Sequence, residues 1–121
     1  MLKYAFWNNK GGTGKTTLCF QVLCQYAIDH PEKRVLAIDV CPQANLSELL
    51  LGGLVGSGSD NLIKIQGQSK RATLGGYFQD KLPNPYYKME IQFMVYVTIP
   101  SRYNNAIPQN IMLICGDPIL E

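Results

Sequence analysis

The stretch Lys10-Gly11-Gly12-Thr13-Gly14-Lys15-Thr16-Thr17 constrains this chain more than any other. Its three glycines allow tight backbone turns and add no side-chain bulk. It follows Leu2-Lys3-Tyr4-Ala5-Phe6-Trp7, an aromatic and apolar run that predicts a buried strand broken by Asn8 and Asn9. It opens a segment from Lys15 to about Asp29 in which Leu18, Val22, Leu23, Tyr26 and Ala27 recur at helical spacing, until Pro31 forbids continuation. Strand, glycine turn and helix, in that order, suit a crowded polyanion. A triphosphate needs inward-pointing N–H groups, open space and a cation for its outer phosphates. Gly11, Gly12 and Gly14 meet the first two needs and Lys15 the third, with the partial positive charge of the helix N-terminus adding to the attraction. The Thr16 hydroxyl is placed to coordinate a bridging magnesium ion, and Thr17 to donate to an inner phosphate.

Val35-Leu36-Ala37-Ile38 is a continuous apolar run after a charged turn, as expected of a parallel strand buried on both faces. Asn45 is suited to cap a short helix through Leu46, Leu49 and Leu50, which Gly52-Gly53 would end. The glycine- and serine-rich stretch 52–60 reads as a mobile surface loop. Thr73 is placed to begin a further helix carrying Leu74, Tyr77 and Phe78, and Pro83, Pro85, Pro100 and Pro108 divide the chain after it into short pieces. Ile111-Met112-Leu113-Ile114-Cys115 predicts another buried strand, stopped by Gly116-Asp117-Pro118.

A chain of 121 residues suffices for one small domain, and its longest apolar runs fall far short of the roughly 20 residues that cross a bilayer. The absence of a signal-type N-terminus leads to an expected cytoplasmic location. Cys19, Cys24, Cys41 and Cys115 lack metal-ligand spacing and read as free thiols. His30, in a polar turn, is expected to be solvated. Net charge +2 is too small to point to a partner, and Lys64, Lys70, Arg71 and Lys81 read as scattered surface cations. Tyr86, Tyr87, Phe93, Tyr96 and Tyr103 could stack on a base but fit packing better.

In the ordinary phosphate loop, Gly-x4-Gly-Lys-Ser/Thr, the first glycine would stand at Asn9, and an additional lysine, Lys10, comes next here. The pattern Lys-Gly-Gly-x-Gly-Lys-Thr-Thr resembles the deviant Walker A motif of the ParA/MinD ATPases at every fixed position. Asp39-Val40-Cys41-Pro42-Gln43-Ala44-Asn45 resembles the family segment Asp-x-Asp-Pro-Gln-x-Asn, in the form typical of the chromosome- and plasmid-partitioning ParA branch. The specific motifs cover about residues 1 to 50.

The resemblance implies an α/β P-loop NTPase fold, three-layered, with a mainly parallel sheet flanked by helices; residues 1–121 would form the N-terminal part of such a domain. It implies ATP and Mg2+ as cofactors and a nucleotide-dependent homodimer, with non-specific DNA and a ParB-like protein as partners. Lys10 resembles the signature lysine that reaches the partner subunit's phosphates; Lys15 would bind the outer phosphates and Asp39 would lie near magnesium and its waters. The catalytic set is thus Lys10, Lys15 and Asp39, the nucleotide set Lys10, Gly11, Gly12, Thr13, Gly14, Lys15, Thr16 and Thr17, and the metal set Thr16 and Asp39.

Cys41 departs from the family, whose second aspartate at that place helps position the attacking water. Tight ATP binding with weak hydrolysis is therefore expected. Asp117 does not correspond to the family's later magnesium-site aspartate, since its segment resembles an earlier strand end. The alternative function is a non-hydrolysing nucleotide-binding or interaction protein; a reductase of the related iron-protein type would need paired cluster cysteines for which no residue here speaks.

Overall fold

The computed structural model describes residues 1–7, 14–81 and 93–120. Helix α1 (Lys15–Asp29) occupies the segment that the apolar spacing predicts. It ends at His30, whose backbone amide donates to the Tyr26 carbonyl oxygen at 3.0 Å. The His30 imidazole is half-buried rather than solvated: Nδ1 lies 3.0 Å from the same oxygen, and the ring stacks on Tyr26 with centroids 4.2 Å apart.

Phe20, Leu23, Cys24 and Ala27 form the stripe of α1 that packs on the core. Leu18 and Val22, grouped with that stripe by their spacing, are 54% and 46% exposed. At about 3.6 residues per turn, positions 18 and 27 fall on opposite sides of a helix, so a single core cannot receive both.

Strand β1 (Val35–Ile38) pairs in parallel with β2 (Ile111–Ile114), in register from Val35 with Ile111 to Ile38 with Ile114. The Asn110 side-chain amide fixes the entry to β2, lying 3.0, 3.2 and 2.9 Å from the carbonyl oxygens of Ala27, His30 and Lys33. One side chain thereby ties the α1–β1 turn to the start of the neighbouring strand. Ile111, Leu113 and Ile114 are buried, as is Ala37. Leu36 and Ile38, however, are 37% and 48% exposed, so β1 is covered on one face and not on both. Successive side chains of a strand point to opposite faces, and the packing reaches the Ala37 side.

The crossover between the strands carries α2 (Asn45–Leu50), α3 (Gly58–Gln66) and α4 (Leu74–Lys81). Ala44, not Asn45, stands at the N-cap of α2, with φ 55, because the turn after β1 buries Ala44 and bonds its amide to the Cys41 carbonyl at 3.0 Å. The stretch expected to be a loop is an ordered turn that runs into α3. The amides of Gly53, Gly56 and Gly58 donate to the carbonyls of Glu48, Gly52 and Gly53 at 2.9, 3.0 and 2.9 Å, so backbone bonding holds what side chains cannot. Thr73 caps α4 as its sequence position suggests, its Oγ accepting the Gly76 amide at 3.0 Å. Short 3-10 turns lie at Phe93–Tyr96, Pro100–Arg102 and Pro118–Leu120.

The apolar run at residues 2–7 forms no strand, in contrast to the expectation from its pattern. Leu2, Tyr4 and Trp7 are 70%, 78% and 80% exposed. On β2, β1 takes one edge, and at Leu113 the other is taken by Thr98, whose amide donates at 2.7 Å and whose carbonyl accepts at 2.9 Å.

Candidate functional site

Gly14 takes φ 76 at the N-terminus of α1, and an added Cβ would meet no atom within 4 Å. Glycine is needed there for the left-handed backbone and not for space. The Gly14 carbonyl accepts the Leu18 amide at 2.9 Å and closes the first turn. Among the described residues no side chain caps this helix start, and its first turn contains no acidic residue. The leading amides of a helix of 15 residues therefore keep their donor capacity and partial positive charge. Lys15 and Thr16 are half-buried and Thr17 is exposed. Lys10, Gly11, Gly12 and Thr13 lie outside the described residues, as do Tyr86 and Tyr87.

Asp39 follows β1 directly and is only 6% exposed, its amide donating to the Ile114 carbonyl at 3.0 Å. Its Oδ1 accepts the Cys41 amide at 3.1 Å; its Oδ2 accepts the Ser47 amide at 3.0 Å and the Ser47 hydroxyl at 2.7 Å. All three donors are neutral. The Cys41 backbone, not its thiol, thus makes the contact to Asp39. Burial first, and then the negative charge of Asp39, push the Cys19 thiol above its ordinary value. Cys19 lies one turn beyond Thr16 on the same face of α1. The Asp39 charge is therefore felt at Cys19, on the helix face that also carries Thr16.

The second strand ends at a different carboxylate. Asp117 is fully buried, and Arg71 grips both its oxygens, with Nη2 donating to Oδ1 at 2.7 Å and Nε to Oδ2 at 2.8 Å. The Thr73 hydroxyl donates to Oδ2 at 2.7 Å, and the Ile119 amide to Oδ1 at 3.1 Å. Burial alone would raise the Asp117 carboxyl, but the Arg71 and Thr73 hydrogen bonds, the Ile119 amide and the Arg71 charge together hold it below its usual value. Arg71 is accordingly an ion-pair partner and not a scattered surface cation. The Cys115 thiol is pushed up to about 12, chiefly by burial; Thr98 lowers it in part, the Asp39 charge raises it, and smaller opposing effects come from Ser47, which lowers it, and the Asp117 charge, which raises it.

Sequence reasoning missed Ser47, Arg71, Thr73 as an acid partner, and Asn110. Only Ser47 carried a local signal, as a hydroxyl in the first turn of the helix after Asp39. Tyr96, considered as a base-stacking residue, is a core residue at 1% exposure, its hydroxyl donating to Asp80. No cluster of three or more His, Cys, Asp or Glu among the described residues could hold a metal unaided. Magnesium commonly binds through one or two protein ligands, phosphate oxygens and waters, so a hydroxyl and a nearby carboxylate form a sufficient donor set.

The family model of the CobQ/CobB/MinD/ParA nucleotide binding domain matches residues 4–121. An ATPase GET3 of Lodderomyces elongisporus is 45% identical over 47 residues, covering 39% of this chain and 14% of that protein. An ATPase GET3 of Candida tropicalis gives the same identity over 47 residues. The virulence plasmid ParA family protein pGP5-D of Chlamydia muridarum is 50% identical over 52 residues, covering 43% of this chain and 19% of that protein. The matched stretch thus spans less than a fifth of each relative's length. No solved structure matches significantly. No helix among the described residues is long and apolar enough to cross a membrane.

Proposed function

Because this chain belongs to the CobQ/CobB/MinD/ParA nucleotide-binding domain family, we propose that it binds ATP with magnesium at the start of α1 and works as a dimerising switch of the partition type. The observation that carries this reading is the α1 N-terminus behind left-handed Gly14, which no side chain among the described residues caps, together with the Asp39 charge acting on the same helix face. In this reading the amides from Gly11 to Lys15 cradle the phosphates and Lys15 neutralises the outer ones. Thr17 donates to an inner phosphate. Lys10 extends to the phosphates bound by a second copy, so that nucleotide joins two protomers.

The residues present fit magnesium. Among the described residues, Asp39 Oδ1 accepts one hydrogen bond, which leaves a lone pair for a metal-bound water, and the Thr16 hydroxyl would be a direct ligand. Magnesium, when bound with ATP, draws charge from the outer phosphates. Cys41 is the weak point for turnover. A thiol lacks the second oxygen with which a carboxylate orients water, while its backbone amide already serves Asp39. Hydrolysis should therefore be slow and binding intact. That expectation favours a non-hydrolysing nucleotide-binding protein of the same family as the second reading.

The likeness to a virulence plasmid ParA family protein supports plasmid partition as the setting, with DNA and a ParB-like protein as partners. Electrostatic DNA binding would weaken steeply with salt. Two measurements test the switch. Lys10→Ala should weaken ATP-dependent dimerisation in light scattering while sparing much of monomer binding; equal dimerisation with ATP bound in both removes the assignment. Cys41→Asp should release phosphate faster than the natural chain, and equal, robust turnover in both would refute the impairment.

A further inference from the structure

Asp39 is useful to a metal-bound nucleotide only while its carboxylate holds one orientation, and the residue that sets this orientation is not among those the loop motifs name. Ser47 lies in the first turn of α2, fully buried, and supplies two of the three donors to Asp39 among the described residues. Its hydroxyl donates to Asp39 Oδ2 at 2.7 Å and accepts the Gly116 amide at 3.0 Å. Because the hydroxyl has one proton, acceptance from Gly116 settles where that proton goes.

The Gly116 contact is tight. A Cβ at Gly116 would lie 2.4 Å from the Cys41 carbonyl oxygen and 2.9 Å from Ala44 Cβ, so the end of β2 presses on the turn that follows Asp39. The Cys41 amide holds Oδ1 from that same turn. Both carboxylate oxygens are thus referenced to one rigid assembly, formed by the β1–α2 turn, the start of α2 and the end of β2. Oδ2, with two protein donors, is the committed oxygen; Oδ1, with one, is the oxygen left for further work.

We propose that Ser47 is a positioning residue for magnesium-dependent nucleotide binding: its hydroxyl, pinned by the Gly116 amide, locks Asp39 Oδ2 so that Oδ1 is presented toward the metal and its waters. This rests on the nucleotide reading given above. Ser47 touches neither nucleotide nor metal in this role and acts through Asp39. Residues that orient metal-associated groups typically change metal affinity by about 10- to 100-fold when removed.

The test separates metal-dependent from metal-free binding. A fluorescent ATP analogue is titrated into the natural chain, Ser47→Ala and Ser47→Thr, with magnesium and with EDTA, and magnesium is titrated at fixed analogue. Ser47→Ala should weaken the apparent magnesium affinity about tenfold or more, while affinity in EDTA stays within about twofold; Ser47→Thr, which keeps the hydroxyl, should restore the magnesium response. Unchanged magnesium affinity in Ser47→Ala, with the natural chain responding to magnesium, overturns the positioning role alone. Equal losses in magnesium and in EDTA mean that Ser47 only supports the fold and overturn it too, as does failure of Ser47→Thr to restore a response while its thermal transition matches the natural chain. If either Ser47 variant fails to fold, Ser47→Cys, which keeps nearly the volume of serine but replaces the hydroxyl by a weak thiol donor, takes its place: a magnesium response equal to that of the natural chain overturns the role, and a selective loss of it supports the role. A natural chain that binds the analogue in neither condition overturns the nucleotide reading itself and the inference with it.

Discussion

The two parallel strands each end in a buried aspartate, yet the two acids are held in opposite ways. Among the described residues, Asp39 after β1 takes hydrogen bonds from neutral donors, the Cys41 and Ser47 amides and the Ser47 hydroxyl, and has no ion-pair partner. Asp117 after β2 has its charge answered by Arg71 through two short hydrogen bonds, with Thr73 and Ile119 filling the rest. An uncompensated buried charge is an unfavourable arrangement that a fold keeps at sites where a cation can arrive. A paired one closes the structure. Asp117 therefore belongs to the scaffold, joining the α3–α4 connection to β2, and Asp39 to the candidate site.

The largest stability effect should come from breaking the paired end. Arg71→Ala leaves the Asp117 carboxylate buried without its cation and should cost about 3 kcal/mol or more in denaturant unfolding; a loss below about 1 kcal/mol would erase the contrast between the two acids. Asp117→Asn should cost less, roughly 1–3 kcal/mol, because the Arg71 side chain is 31% exposed and can turn to water. Asp39→Asn should disturb stability least of the three, on the order of 1 kcal/mol, since the donors it abandons are neutral. It should nonetheless weaken the magnesium response of nucleotide binding more than either change at the paired end. A larger magnesium effect from Asp117→Asn would reverse the assignment of the two roles.

Acid should sharpen the same contrast. The folded Asp117 carboxyl is held below its ordinary 3.8, so its stabilisation is complete above 3.8 and is lost as pH falls through the lower folded value. Thermal melts of the natural chain should decline below that pH, and the decline should be shallower in Asp117→Asn. Equal slopes would show that the ion pair contributes little to acid stability.

Local signals were legible in the sequence wherever the physics is local. The span of α1 followed from apolar spacing and Pro31, Thr73 announced the cap of α4, and the two apolar runs that became β1 and β2 were visible as such. The run at residues 2–7 carries the same signal and forms no strand, because strand formation depends on long-range pairing, which no local pattern encodes. For the same reason β1 was read as buried on both faces although Leu36 and Ile38 are exposed. In the candidate site, Gly14, Lys15, Thr16 and Asp39 could be named from motifs. Ser47, Arg71 and Asn110 could not be assigned their roles, since their partners Gly116, Asp117 and the α1–β1 turn lie 69, 46 and about 80 positions away along the chain.

The central claim, that the start of α1 is a nucleotide site served by Asp39, is tested most directly by ATP binding measured calorimetrically on the natural chain and on Lys15→Ala. The natural chain should bind ATP more tightly with magnesium than with EDTA, and Lys15→Ala should show no measurable binding while its melting transition stays close to the natural one. Binding that survives in Lys15→Ala at the same affinity would place the nucleotide elsewhere and contradict the account.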